Sequence, residues 1–389
     1  MHKKLKLGMI GGGQGAFIGA VHRIAARIDN EYELVCGAFS ATPEVSLASG
    51  IEIGIDPSRV YGSWQQMFEK EKLLSADERM EVVAIVTPNH LHFAPAKLAM
   101  ENGVHVIMDK PMTFDLNEAI ELKKVADKTG MLFCLTHTYT GYPMVKEARQ
   151  RIATDQLGAI RKIYVEYPQG WLSTALENTG NKQAEWRSDP KRNGIGGAMG
   201  DIGTHAFNLA EYVSGLKVTS VCADINKIVA GRILDDDGNI LLKFDNGASG
   251  VLFATQVAAG EENNIKIRVY GEKGGIEWQQ HDANTLLIKW LDKPAEILRA
   301  GTNNSYLSEI ARANCRTPGG HPEGYLEAFA NHYRNFALCI KAKQHGGQPK
   351  PEWSDHPGIE EGVRGMAFIE TVIASGEAAE KWIPLTINE

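Results

Sequence analysis

A short apolar run at residues 5–10 leads directly into a glycine cluster, Gly11-Gly12-Gly13-Gln14-Gly15-Ala16-Phe17-Ile18-Gly19, and then into a helical pattern reaching Ile28. No other feature restricts the fold as strongly, because a strand that turns at once into a helix, through a turn stripped of side chains, opens a β-α-β unit. The alternation then continues. Residues 33–39, 82–87, 105–108 and 132–135 read as strands, and 16–28, 64–71, 91–102 and 116–129 as helices. Strands alternating with helices require right-handed crossovers, so residues 1–136 are expected to form a doubly wound parallel sheet, helices on both faces.

Beyond residue 160 the texture changes. Runs at 161–167, 219–229, 239–244, 248–254, 265–270, 275–279 and 285–289 are β-rich, with turn signals at Asp237-Gly238 and Asn246-Gly247. They predict an α/β second domain, 137–389, built on a large, mostly antiparallel open sheet. Amphipathic helices at 325–341 and 358–375 are expected either to cover that sheet or to return to the first domain. Two domains also suit 389 residues at ~100–200 per domain. An open sheet with one bare face is expected to be hidden by self-association into a homo-oligomer, a dimer or tetramer.

Composition removes several partners. Lys plus Arg is 41 against 48 Asp plus Glu, a formal charge of −7 with no basic stripe, so nucleic acid is excluded. Cys36, Cys134, Cys222, Cys315 and Cys339 are scattered without a Cys-x-x-Cys, which argues against a zinc ribbon or a disulfide framework and for a reducing, cytoplasmic setting. The apolar run after the basic start is too short for an export signal, and nowhere are there ~18 uninterrupted apolar residues, so no membrane partner is expected.

Three constellations carry chemistry. Backbone N–H groups at the helix start behind the glycine cluster can hold a pyrophosphate, making Gly11, Gly13, Gln14, Gly15 and Ala16 candidate cofactor contacts. The register has two readings: Gly11-x-Gly13-x-x-Ala16, or a loop lengthened by three residues that ends at Gly19. The second strand ends Ala38-Phe39-Ser40, without the acid that grips a ribose diol, and residues 41–50 contain no Lys or Arg. NAD is expected, with NADP not excluded, and Ser40 is its candidate ribose contact.

Thr87-Pro88-Asn89-His90-Leu91-His92 and Asp109-Lys110-Pro111 each follow a strand, where ligands bind in doubly wound sheets. Thr87, Pro88, Asn89, His92, Asp109 and Lys110 join the cofactor set, although Thr87-Pro88-Asn89 could equally start the next helix. Lys110 can bond a hydroxyl and favour loss of its proton. In Gly200-Asp201-Ile202-Gly203-Thr204-His205, a helix beginning near Asp201 would present Asp201 and His205 at i and i+4, an imidazole to take a proton and a carboxylate to orient it. An N-capping Asp201 above a packed histidine is the structural alternative. Metal binding is disfavoured for want of a third ligand, and no metal is assigned.

These motifs, in this order and spacing, resemble the Gfo/Idh/MocA oxidoreductase family over nearly the whole chain. The resemblance implies a Rossmann domain followed by an α/β domain with a large open sheet, and a catalytic set of Lys110, Asp201 and His205. Asp109 stands where the family has Glu. Glu185-Trp186-Arg187-Ser188-Asp189-Pro190 is similar to a segment of the glucose–fructose oxidoreductase branch, which places Trp186 and Arg187 near the cofactor and the substrate. His137, Tyr139 and Trp171, with Lys110, Asp201 and His205, are the expected substrate wall. The implied activity is hydride transfer between a secondary hydroxyl of a pyranose, glycoside or cyclic polyol and a nicotinamide. An NAD-dependent glycosidase or lyase working through a transient keto-sugar, and a non-catalytic sugar or nucleotide sensor, are the alternatives.

Overall fold

The computed structural model describes residues 3–387. The chain divides into two compact units, one made of the residues up to Thr138 with Tyr325–Gly362, the other of Tyr139–Gly324 with the residues from Val363 on.

The first unit holds a parallel sheet of β1 (Leu5–Gly11), β2 (Tyr32–Ala38), β3 (Val82–Val86), β4 (His105–Met108) and β5 (Phe133–Leu135), in the order β2-β1-β3-β4-β5. Strand β3 is a continuous apolar run, and β4 is one after His105, because both their faces are covered: every residue of β3 and β4 is buried. Helices α1 (Phe17–Ile28), α2 (Pro43–Glu52), α3 (Trp64–Glu71), α4 (Phe93–Glu101) and α5 (Leu116–Thr129) connect them. The last is bounded as its sequence demands: Asp115 accepts from Glu118 N–H, and Gly130 closes the helix at φ +66°. The helix Tyr325–Gln344 belongs to this unit and buries Phe329, Tyr333, Phe336 and Ile340 in the same core as β1 and α1.

Helix α2 has only its start marked in the sequence, by Thr42-Pro43-Glu44, because Ser46, Ser49 and Gly50 in its body are weak helix formers. Its serines are committed to tertiary bonds. Ser46 Oγ donates to Tyr61 O and accepts from Phe39 N–H, and Ser49 Oγ accepts from Gln14 N–H.

The second unit is built on a nine-stranded sheet. Its strands are β6 (Lys162–Pro168), β7 (Val218–Asn226), β8 (Asp237–Phe244), β9 (Ser249–Thr255), β10 (Lys266–Tyr270), β11 (Gly274–Gln279), β12 (Thr285–Trp290), β13 (Glu296–Arg299) and β14 (Trp382–Pro384). Their order is β13-β12-β11-β10-β6-β9-β8-β7-β14, antiparallel except for β6 beside β9. Along β6 and β8 buried residues alternate with accessible ones, the signature of a sheet with one face in the core and one in solvent. The edge strands β13 and β14 are too short to show an alternating pattern in the sequence.

One expected turn is corrected. Asp237 and Gly238 lie inside β8, opposite Thr255 and Ala254. The glycine there answers a close approach: a Cβ on Gly238 would lie 2.9 Å from Met199 Cε and from Ile225 Cδ1. Asn246-Gly247 is the real turn, with Gly247 at φ +87°.

Candidate active site

In the first unit the cofactor candidates collect at the C-terminal ends of the parallel strands. At Gly11, φ is +79° and a Cβ would lie 2.3 Å from Val86 O. A Cβ on Gly13 would fall 2.7 Å from Phe39 O, the oxygen that accepts Gly13 N–H. At Gly19 a Cβ would stand 2.3 Å from Gly12 O and 2.4 Å from Gly12 Cα. Gly19 is therefore the glycine that lets the helix close on the strand, and the longer register holds; Ala16 is instead the N-cap of α1.

This helix start suits an anion. Ala16 offers no side-chain cap, the first turn carries no acid, and the N–H groups there have no partner within the helix. Gln14 and Gly15 are exposed, and the Cβ position of Gly15 meets nothing within 4 Å. Gly13, Gln14, Gly15, Ala16 and Arg23 line a cleft of about 360 Å³. Ser40 Oγ, half-buried at the end of β2, accepts from Thr42 N–H. Arg59 is engaged elsewhere, in a two-pronged pair with Glu71.

Three assignments in the first unit change. His92 is fully buried, its Nδ1 2.9 Å from Pro111 O and its Nε2 2.8 Å from Thr87 O. It ties the β3-end loop to the β4-end loop and does not face a cofactor; burial holds its pKa below the ordinary imidazole value. His137 is 2% exposed, and burial, reinforced by the charge on Lys110, lowers its pKa to about 3. It is neutral at any working pH and is not part of an open wall. Asp109 turns inward, Oδ1 lying 3.0 Å from His22 Nε2 and accepting from Thr136 Oγ1 at 2.8 Å, while Tyr333 Oη sits 2.6 Å from His22 Nδ1. Burial alone would raise the Asp109 pKa, but His22 and Thr136 hold it below the usual carboxylate value. The shortened carboxylate thus anchors the Lys110 loop from behind, through a buried tyrosine–histidine–aspartate chain. Lys110 is half-buried and precedes a cis peptide to Pro111.

In the second unit, Met199–Gly203 form a π-helical turn that runs into the helix Thr204–Ser214. π-turns recur at functional sites. Asp201 is no N-cap: its Oδ2 accepts from Arg187 Nε at 3.1 Å and from Gln256 Nε2 at 2.8 Å. The Arg187 guanidinium stacks on Trp186, 4.3 Å from the ring centre, and lies 5.8 Å from that of Trp171. Trp171 Nε1 donates to Gln169 Oε1 at 3.0 Å. The ring of Tyr139 meets His205 edge-on at 4.9 Å, and its hydroxyl bonds Tyr167 and Asn263. Tyr139 is buried, which raises its pKa. It backs His205 from the core and does not present an open sugar-binding face. Gln169, Gln256, Tyr167 and Asn263 join the site without any motif to mark them, because isolated amides and tyrosines on separate strands carry no sequence signal.

Residues 5–137 match the family model described as "Oxidoreductase family, NAD-binding Rossmann fold", and residues 145–277 match the GFO/IDH/MocA C-terminal domain. The chain belongs to the GFO/IDH/MocA oxidoreductase family. Its first unit is an NAD-binding Rossmann domain. The crystal structure of an oxidoreductase from Sinorhizobium meliloti is similar at 46% identity, TM-score 0.88, over 98% of this chain and 99% of that one. An inositol dehydrogenase homolog from Azotobacter vinelandii, solved with NADH and myo-inositol, is similar at 31% identity, TM-score 0.90, over 98% of each chain. The levoglucosan dehydrogenase of Pseudarthrobacter phenanthrenivorans is 25% identical over 98% of each chain. Among the described residues, no helix is long and apolar enough to cross a membrane.

Proposed function

We propose that this protein is an NAD-dependent dehydrogenase acting reversibly on a secondary hydroxyl of a pyranose, glycoside or cyclic polyol. The observation that carries the reading is the surround of Asp201: a carboxylate held by Arg187 and Gln256, four residues before His205, and continued by the amides and rings of Gln169, Trp171 and Asn263. Neutral hydrogen-bonding groups between aromatic faces suit a polyhydroxylated ring, whose C–H faces stack and whose hydroxyls bond. The myo-inositol bound by the Azotobacter homolog and the levoglucosan named for the Pseudarthrobacter enzyme are molecules of this class.

Gly11, Gly13, Gln14, Gly15 and the start of α1 would hold the pyrophosphate, with Ser40, Thr87, Pro88 and Asn89 beside the rest of the dinucleotide. NAD, when bound, supplies the acceptor for the two electrons that leave the carbinol carbon with its hydrogen. His205 takes the hydroxyl proton as the carbonyl forms. Lys110 stabilises negative charge on that oxygen, and Asp201 orients the imidazole or grips a neighbouring hydroxyl. Homo-oligomers would form through the accessible face of the nine-stranded sheet, where Tyr164, Leu241, Val251 and Phe253 lie half-buried or exposed among charged neighbours.

The test is a screen of inositols, free sugars, glycosides and anhydrosugars with NAD, read at the absorbance of the reduced nicotinamide. Steady NADH formation with one of them is the expected outcome, and Lys110→Met lowers that turnover ~10²-fold with NADH affinity held within a few-fold. Glycoside cleavage without net NADH would overturn the dehydrogenase reading.

A further inference from the structure

Three consecutive N–H groups at the start of the segment carrying Asp201 and His205 are received by one residue. Asp235 Oδ1 accepts from Gly197 N–H at 2.6 Å, Oδ2 from Met199 N–H at 2.7 Å, and the Asp235 carbonyl from Ala198 N–H at 2.8 Å. A helix start leaves such donors without partners, and the usual cap comes from the residue just before it. Here it arrives from 36 to 38 residues further along the chain. The fit is close: a Cβ on Gly197 would lie 2.0 Å from Asp235 O. From these capped residues the chain enters the π-helical turn, a geometry with little stability of its own.

We propose that Asp235 is the positioning residue of this turn, its ionised carboxylate fixing Asp201 two residues beyond Met199 and His205 one turn further on. The proposal rests on the reading of Asp201 and His205 as the pair that handles the substrate proton. A carboxylate accepts through both oxygens. A carboxylic acid or an amide offers one such oxygen and turns an O–H or N–H toward the second backbone donor, so protonation or Asp235→Asn breaks one arm of the clamp.

The clamp is ionised at neutral pH. Burial pushes the Asp235 pKa up to about 6, and the neighbouring Asp236 adds to this against the pull of the Met199 and Gly197 N–H groups. Asp236 is itself paired with Arg232 at 3.1 Å, a cation shared with Glu177. Arg187, paired with Asp201, lines the same small cavity as Asp235.

Two measurements test the proposal. Asp235→Asn lowers kcat ~10²-fold, the scale of a ~1 Å misplacement of reacting groups, and leaves the Kd for NADH within twofold. In the ligand-free protein at about pH 8, where the carboxylate is ionised, the peptide covering 197–204 exchanges its amides ~10-fold faster in Asp235→Asn than in wild type, whereas His205→Asn exchanges like wild type. A folded Asp235→Asn with kcat within twofold of wild type, or with 197–204 exchange as slow as in wild type, overturns the proposal. If Asp235→Asn does not fold, the same two measurements on Asp235→Ser, which also lacks the second accepting oxygen, decide it. If Asp201→Asn and His205→Asn keep full turnover, the reading of the pair has failed, and exchange still judges the clamp.

Discussion

Replacing Gly19 by alanine tests the geometry of the dinucleotide loop directly. The new methyl would sit 2.3 Å from Gly12 O, 2.4 Å from its Cα and 2.6 Å from its carbonyl carbon, all backbone atoms that cannot rotate away. Restoring ordinary contact needs α1 to withdraw by ~1 Å, an overpacking cost of ~3 kcal/mol. Alanine's helix propensity returns ~1 kcal/mol, leaving ~2 kcal/mol of net destabilisation. In a unit of this size that is a fall in Tm of ~4–8 °C. The displaced helix start also weakens NADH binding, by ~10-fold or more, since its N–H groups no longer converge on the phosphates. Gly15→Ala is the control: it meets nothing within 4 Å and carries only the left-handed backbone cost at φ +76°, ~1–2 kcal/mol. Calorimetry and a fluorescence titration with NADH measure both. Gly19→Ala with an unchanged Tm and a Kd within twofold would refute the assignment of Gly19 as the packing glycine.

His205→Asn removes the imidazole's limb from the pH profile of sugar oxidation, and from the opposite limb of ketone reduction, in whatever activity remains; both limbs persisting unchanged would return the proton to Lys110 or to water. Comparison of kcat/KM for the two nicotinamide cofactors is expected to favour NAD modestly, because residues 41–50 lack a cation and Arg59 is held by Glu71; a clear NADP preference would mean that another base reaches the 2′-phosphate. Burial and the Lys343 charge lower the His105 pKa to about 4, so the native state keeps it neutral while the unfolded chain takes up a proton below the ordinary value of 6.5. Stability therefore falls as pH drops from 6.5 toward 4, by ~3 kcal/mol from this residue, and thermal melts of wild type and His105→Gln across that window should differ in slope by that amount.

The features legible in the sequence are local ones. Strand-end motifs announce themselves because a loop at the C-terminal edge of a parallel strand has one place to be, and Lys110 and Ser40 are at such ends. The pairings that give the motifs their geometry join residues far apart in the chain. His22 meets Asp109 across 87 positions and Tyr333 across 311, and Asp201 meets Gln256 across 55. Buried polar pairs of this kind have no periodicity, and a histidine on the apolar side of α1 reads as core. The glycine register needed the structure too, since only the distance from Gly19 to Gly12 separates its two readings.

The helix Tyr325–Gln344 has a consequence for the order in which the protein is made. It closes the core of the unit that begins at the amino terminus: Tyr32 Oη donates to Tyr333 O, and Phe329 and Phe336 are buried beside β1 and α1. A ribosome adding ~5–20 residues per second needs ~10–40 s to pass from Thr138 to Gln344. Throughout that interval the nascent nucleotide-binding unit is missing its last wall, and the apolar side of α1 is open to chaperones or to neighbouring chains. The part synthesised first is thus the part completed late, and a fragment ending near residue 138 would leave Tyr32 and the apolar side of α1 without the helix that covers them.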